Sequence, residues 1–171
     1  KLERYLDAIR SNLLFAKSVM LVEGDAESIL IPNLIKKVLG ISLDELGISL
    51  VNIGSTGFEN VAQIFHNDRI KRKCAIITDL DSAIANTTIS ATDSERKKKY
   101  KKKMLGSQEK GLARRTKLDE FTSSNIWINV FYAIHTFEVD FIMAENINEV
   151  IKLCDVVYTE PTTLETSKSD I

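Results

Sequence analysis

Two short apolar runs, each broken off by carboxylates, constrain this chain most. Val19-Met20-Leu21-Val22 leads into Glu23-Gly24-Asp25-Ala26-Glu27, and Ala75-Ile76-Ile77-Thr78 leads into Asp79-Leu80-Asp81. Short continuous apolar runs suit strands buried in a sheet. In open α/β sheets, sites form outside the carboxyl ends of the strands. Acids delivered there repel one another unless a cation or protons intervene. Hard oxygen ligands of this kind suit Mg²⁺ or Mn²⁺, and such a metal points to phosphate chemistry.

The rest of the chain alternates in the same way. Leu2, Leu6, Ile9 and Leu13 recur at helical spacing, so residues 1–16 read as an amphipathic helix. Val19–Val22 is the first strand, and Asp25 is placed to cap the helix after it. That helix carries Ile29, Leu30, Leu34, Ile35, Val38 and Leu39 as its core side, meets Pro32 as an expected kink, and ends at Gly40. A short helix over 42–46 leads to a second strand over 48–53. A turn at Gly54-Ser55-Thr56-Gly57, a helix over 58–66 and a third strand over 73–78 follow. A fourth strand over 126–133 precedes helices over 137–144 and 147–153. Strands alternating with helices predict an α/β domain with a mostly parallel, four-stranded sheet flanked by helices on both faces.

Residues 82–125 interrupt this alternation. Roughly half of the 23 Lys and Arg residues lie between Arg96 and Lys117, while the formal net charge of the whole chain is −1, so the remainder is acidic. A connection this long reads as a basic insert after the third strand. One reading is a solvated charged helix. The other is a grip on a nucleic-acid backbone by Lys97, Lys98, Lys99, Lys101, Lys102, Lys103, Arg114 and Arg115. The boundaries that follow are 1–16 as a leading helix, 17–154 as the catalytic domain and 155–171 as a polar tail. The chain opens without Met inside a helical pattern, which suggests a piece of a longer protein.

Several classes are disfavoured. Cys74 and Cys154 form no Cys-x-x-Cys pair and His66 and His135 stand apart, so zinc is not expected. The two thiols read as buried residues of a reducing cytoplasm. No apolar stretch approaches the ~18 residues of a membrane span.

Glu27 follows Glu23 by four residues, one turn into a helix, so both can face one cavity. Asp79 and Asp81 are two apart, which in extended chain points them the same way. If the first and third strands are neighbours, the four carboxylates converge and could hold two ions about 3.5–4 Å apart. Glu138, just after the last strand, is a fifth candidate. Plainer roles exist for each: a first-turn acid for Glu27 or Glu138, and turn-forming residues for Glu23, Asp79 and Asp81.

Val22-Glu23-Gly24 followed by Thr78-Asp79-Leu80-Asp81 resembles the Toprim domain, and the finer pattern resembles the overcoming-lysogenization-defect (OLD) family of ATP-dependent endonucleases. Leu14-Phe15-Ala16 is similar to its approach to the first strand, Glu23-Gly24-Asp25-Ala26-Glu27 to its Glu-Gly-x-x-Glu motif, and Phe137-Glu138 to its acid after the last core strand. The resemblance spans residues 13–144 and does not explain the insert. It implies a Rossmann-like Toprim fold and a metal-dependent DNA endonuclease or nickase. It also implies Glu23, Glu27, Asp79, Asp81 and Glu138 as catalytic metal ligands for two Mg²⁺ or Mn²⁺ ions, and a role in bacterial or phage defence. It further implies an N-terminal ABC-type ATPase domain that would supply ATP chemistry. This chain has no Gly-x-x-x-x-Gly-Lys-Ser/Thr loop of its own. The family's functional lysine would fall at Lys152 or Lys168. DNA is the expected partner, the location cytoplasmic, and a homo-oligomer compatible. RNA processing and a non-cutting assembly module remain as alternatives. A topoisomerase is disfavoured because Tyr100 has no scaffold for strand passage.

Overall fold

The computed structural model describes residues 13–54 and 57–169. Its strands are β1 (Ser18–Val22), β2 (Ile48–Asn52), β3 (Lys73–Asp79) and β4 (Ile128–Ala133), all parallel, in the order β2-β1-β3-β4. Parallel neighbours need crossovers. The first is α1 (Asp25–Leu39) with α2 (Leu43–Leu46); the second is α3 (Glu59–Ala62) with a 3₁₀ turn over Gln63–Phe65; the third is α4 (Glu95–Thr122). After β4 come α5 (Phe137–Phe141), a π-type turn over Ile142–Asn146, α6 (Ile147–Val157) and α7 (Pro161–Ser169). The α/β expectation therefore stands, with every strand parallel. The chain leaves β1 toward β2 and then crosses back to β3. That reversal opens a crevice between β1 and β3 at the carboxyl edge. Val22 is level with Ile77, so Glu23 emerges beside Thr78, one step from Asp79.

Alternation along β3 fixes the core. Cys74, Ile76 and Thr78 are buried, while Ala75, Ile77 and Asp79 are half-buried. Cys74 and Ile76 pack with Val19 and Leu21 of β1, Ile128 of β4, Phe65 and Leu118 of α4. The expected basic insert is thus part of the fold: α4 is the β3–β4 crossover, and Leu118 is its core anchor. The sequence obscured this because α4 buries little besides Gly111 and Leu118. A mostly charged helix gives no apolar stripe to read.

Other expectations shift. The leading helix over 1–16 falls mostly outside the described residues; within them, Leu13 and Leu14 form a 3₁₀ turn and Phe15–Lys17 no helix. The turn residues Ser55 and Thr56 also lie outside them. Asp25 is not a cap. Gly24 occupies that position without a side-chain bond, and the Asp25 carboxylate accepts a 2.7 Å bond from Asn52 Nδ2. Pro32 lies inside α1, which is a single helix from Asp25 to Leu39. Its expected core side faces outward: Ile29 is 63% and Val38 76% exposed, and Ile31 is its buried apolar residue. The polar tail expected over 155–171 is helical through Ser169, capped by Glu160, whose carboxylate accepts from the Thr163 amide at 2.8 Å. Both cysteines are free and buried, and burial pushes the Cys74 thiol up to about 12. Among the described residues no helix is long and apolar enough to cross a membrane.

Candidate active site

The acids stand at the carboxyl edge of the β1–β3 crevice in two groups. Glu23 leaves β1 with its carboxylate accepting a 2.9 Å bond from the buried Thr78 hydroxyl. Beside it lies Arg114 of α4. Its Nη1 donates to Glu23 Oε1 at 3.2 Å, and its Nη2 donates to Asp81 Oδ2 at 3.0 Å and to the Asp79 carbonyl at 2.6 Å. One guanidinium thereby ties the ends of β1 and β3 together, the fork geometry for which arginine is suited. Its Nε is buried and has no hydrogen-bond partner among the described residues.

Asp79 and Glu27 make the second group. Burial, then the charge of Glu27, pushes the Asp79 carboxyl up to about 7; Asp81 and Glu23 add to the rise, and a bond from the Phe137 amide opposes it. Glu27 is only 5% exposed although it sits in the first turn of α1. Its side chain folds back over Gly24, where an added Cβ would stand 2.8 Å from Glu27 Oε2. Gly24 has an ordinary extended backbone (φ −132°). Its role is to leave room for this carboxylate, rather than the tight turn its composition suggests.

Asp81 reaches the site by a different route from the one its spacing predicts. β3 ends at Asp79, and Asp81 adopts a left-handed φ of 52°. Alternation in extended chain therefore does not set its direction. Bonds from Leu80 and Ser82 amides to Ala133 and Ile134 carbonyls hold this stretch along the end of β4, and Arg114 holds the side chain. Glu138 is in the first turn of α5 and exposed, with no hydrogen bond among the described residues. The carboxylate beside it, Asp140, is engaged by the Ile134 amide at 2.8 Å and by His135 Nδ1 at 2.7 Å.

The eight basic candidates divide. Lys97 and Lys101 pair with Asp93, whose side chain is 5% exposed; bonds from Lys101 and the Ser90 amide hold its carboxyl down at about 2. Lys98 pairs with Glu95. Lys99, Lys102 and Lys103 are exposed and free of ion pairs among the described residues. Arg115 pairs with Asp119 at 3.4 Å and lies over the Tyr132 ring. Arg114, expected on a backbone-binding surface, is instead the counter-charge of the acids. Lys152 and Lys168, the lysine candidates, pair with Glu149 and Asp155.

Sequence reasoning missed Gly111 and the true place of Arg114. A Cβ at Gly111 would come within 2.0 Å of the Leu80 carbonyl oxygen, so α4 crosses the end of β3 in backbone contact. That approach sets Arg114, one turn later, against the acids. Two glycines inside a helical pattern, Gly106 and Gly111, were the available signal, and of the two Gly111 is the one against backbone.

Among the described residues no three Asp, Glu, His or Cys side chains stand close enough to enclose a metal ion as placed. The donors nonetheless suit a hard cation. Arg114 pairs with Glu23 and Asp81, and burial, then the charge of Glu27, raises the Asp79 carboxyl to about 7.

Residues 14–81 match the family model of the overcoming lysogenization defect protein-like TOPRIM domain. Among solved structures, the C-terminal region of the Burkholderia pseudomallei OLD protein superposes with a TM-score of 0.58 at 23% identity, over 88% of this chain and 70% of that one. The C-terminal region of the Xanthomonas campestris pv. campestris OLD protein gives 0.50 at 22% identity, over 93% and 72%. These likenesses concern the fold. No curated protein matches the chain. The matched stretch stops at Asp81, so α4, Arg114 and Glu138 lie beyond it.

Proposed function

We propose, from the match of residues 14–81 to the OLD-like TOPRIM family model, that this chain is a divalent-metal-dependent endonuclease domain that nicks or cuts DNA phosphodiesters. The observation that carries the reading is that one guanidinium, Arg114, bonds Glu23, Asp81 and the Asp79 carbonyl at the carboxyl edge of β1 and β3, where burial and the charges of Glu27, Asp81 and Glu23 raise the Asp79 carboxyl to about 7. Glu27 and Asp79 would hold one ion and Glu23 and Asp81 the other, with Glu138 joining from α5. Two Mg²⁺ or Mn²⁺ ions bound there would activate water and stabilise the leaving oxygen.

The chain's own residues do the rest. Thr78 orients Glu23 through its hydroxyl. The Phe137 amide orients Asp79. Arg114 holds Glu23 and Asp81 in register. The exposed cations of α4 hold the strand by its backbone, which positions it without reading sequence. A larger parent protein with an ATPase part, and a place in bacterial or phage defence, belong to the same proposal. Nicking of supercoiled plasmid in Mg²⁺ or Mn²⁺ tests it. The parent chain nicks, and Asp79→Ala loses on the order of 10³-fold in rate. Equal nicking by both removes the site.

A further inference from the structure

Beside Asp81 lies a cleft of about 200 Å³ that the metal chemistry leaves unused. Ile84 and Met104 give it apolar lining, and Tyr100 and Lys103 of α4 and His135 line it as well. Tyr100 also bounds a second groove on the same helix, with Arg96, Lys99 and Lys103. The ring is therefore the divide between a cationic track and the acids. It is the single aromatic residue inside the Arg96–Lys103 run and is 55% exposed.

We propose that this cleft is a subsite for one unpaired nucleotide of the strand being cut, with Tyr100 as the platform for its base and Lys103 as the contact for its phosphate. The proposal rests on the nuclease reading and deepens it by naming the state of the substrate. A base inside a duplex hides both faces in the stack, and only an unstacked base offers one to an aromatic ring. The cleft is smaller than a drug-sized pocket and admits one such group. His135 supplies a directed polar partner. Its Nδ1 lies 2.7 Å from Asp140 Oδ1, which fixes the ring, and its Nε2 has no protein partner among the described residues. Lys103 in the lining favours phosphate, and Asp81, also in the lining, connects the cleft to the acids.

The test separates base recognition from charge. Binding is measured by fluorescence anisotropy, without divalent metal, for a labelled duplex carrying one unpaired thymine and for the same duplex with an abasic residue there. The parent is expected to bind the thymine form roughly 10-fold more tightly. Tyr100→Ala erases that difference and Tyr100→Phe keeps it. Lys103→Ala weakens both forms equally and flattens their salt dependence. Equal binding of both forms by the parent overturns the subsite, as does a difference that survives in Tyr100→Ala. The two readings fail separately. A thymine preference in a chain that nicks under no metal keeps the subsite and sinks the nuclease. Robust nicking without the preference sinks the subsite alone.

Discussion

The two halves of α4 carry the same kind of charge and use it in opposite ways. In the first half, Lys99, Lys102 and Lys103 point into solvent, and Lys97 and Lys101 fasten the preceding loop through Asp93. In the second half, Arg114 turns inward onto Glu23, Asp81 and the end of β3. Nothing in the run of cations separates these fates. What separates them is distance from the sheet, and that distance is set by a glycine. At Gly111 the helix touches the Leu80 backbone, and further on Leu118 is buried in the core. A charge is a surface charge or a site charge according to the packing of its neighbours.

Gly111→Ala breaks this contrast most severely. The added methyl meets backbone, which cannot swing aside as a side chain can. An overpacking cost of about 1–3 kcal/mol is expected, together with loss of nicking as Arg114 is displaced. Denaturant unfolding and the plasmid assay check both. Nicking at parental rate would show that Arg114 need not be seated there.

Arg114→Ala sharpens the comparison. Removing their counter-charge leaves Glu23 and Asp81 uncompensated among the described residues, so the metal-free protein unfolds at lower temperature and gains more from added Mg²⁺ than the parent does. Lys102→Ala is expected to leave the unfolding temperature alone and to reduce the salt slope of DNA binding by about one unit. Thermal melts with and without Mg²⁺ and a salt titration read both effects. The reverse pattern would exchange the roles of the two halves.

The sheet was legible because each strand announces itself as a short apolar run ending in acid or turn residues, and the family motifs fall within that stretch. Glu23, Glu27, Asp79 and Asp81 were singled out by the same signal, which places three of them at the ends of β1 and β3. Arg114 was hidden because a cation among cations has no local signature, and its partners lie 33 and 91 residues away in sequence. The outward apolar side of α1 was misread for a related reason. Periodicity reports a sticky face; it does not report what covers it.

The smallest effect is on pH. Asp79 has a folded-state acidity raised from the ordinary carboxylate value near 4 to about 7. Its protonated form therefore adds stability that is full below about pH 4 and is lost as pH rises through 7. The metal-free protein should melt at lower temperature at pH 8 than at pH 5.5 on this account, and Asp79→Asn should flatten the slope.

The same proton gives the most direct measurement of whether cations hold these acids together. Calorimetric titration with Mg²⁺ or Mn²⁺ should show affinity rising up to about tenfold per pH unit below 7 and levelling above it, with a proton released on binding. Asp79→Asn should bind weakly and without that dependence. Metal affinity independent of pH in the parent, or equal in the two chains, would contradict a cation site built on Asp79.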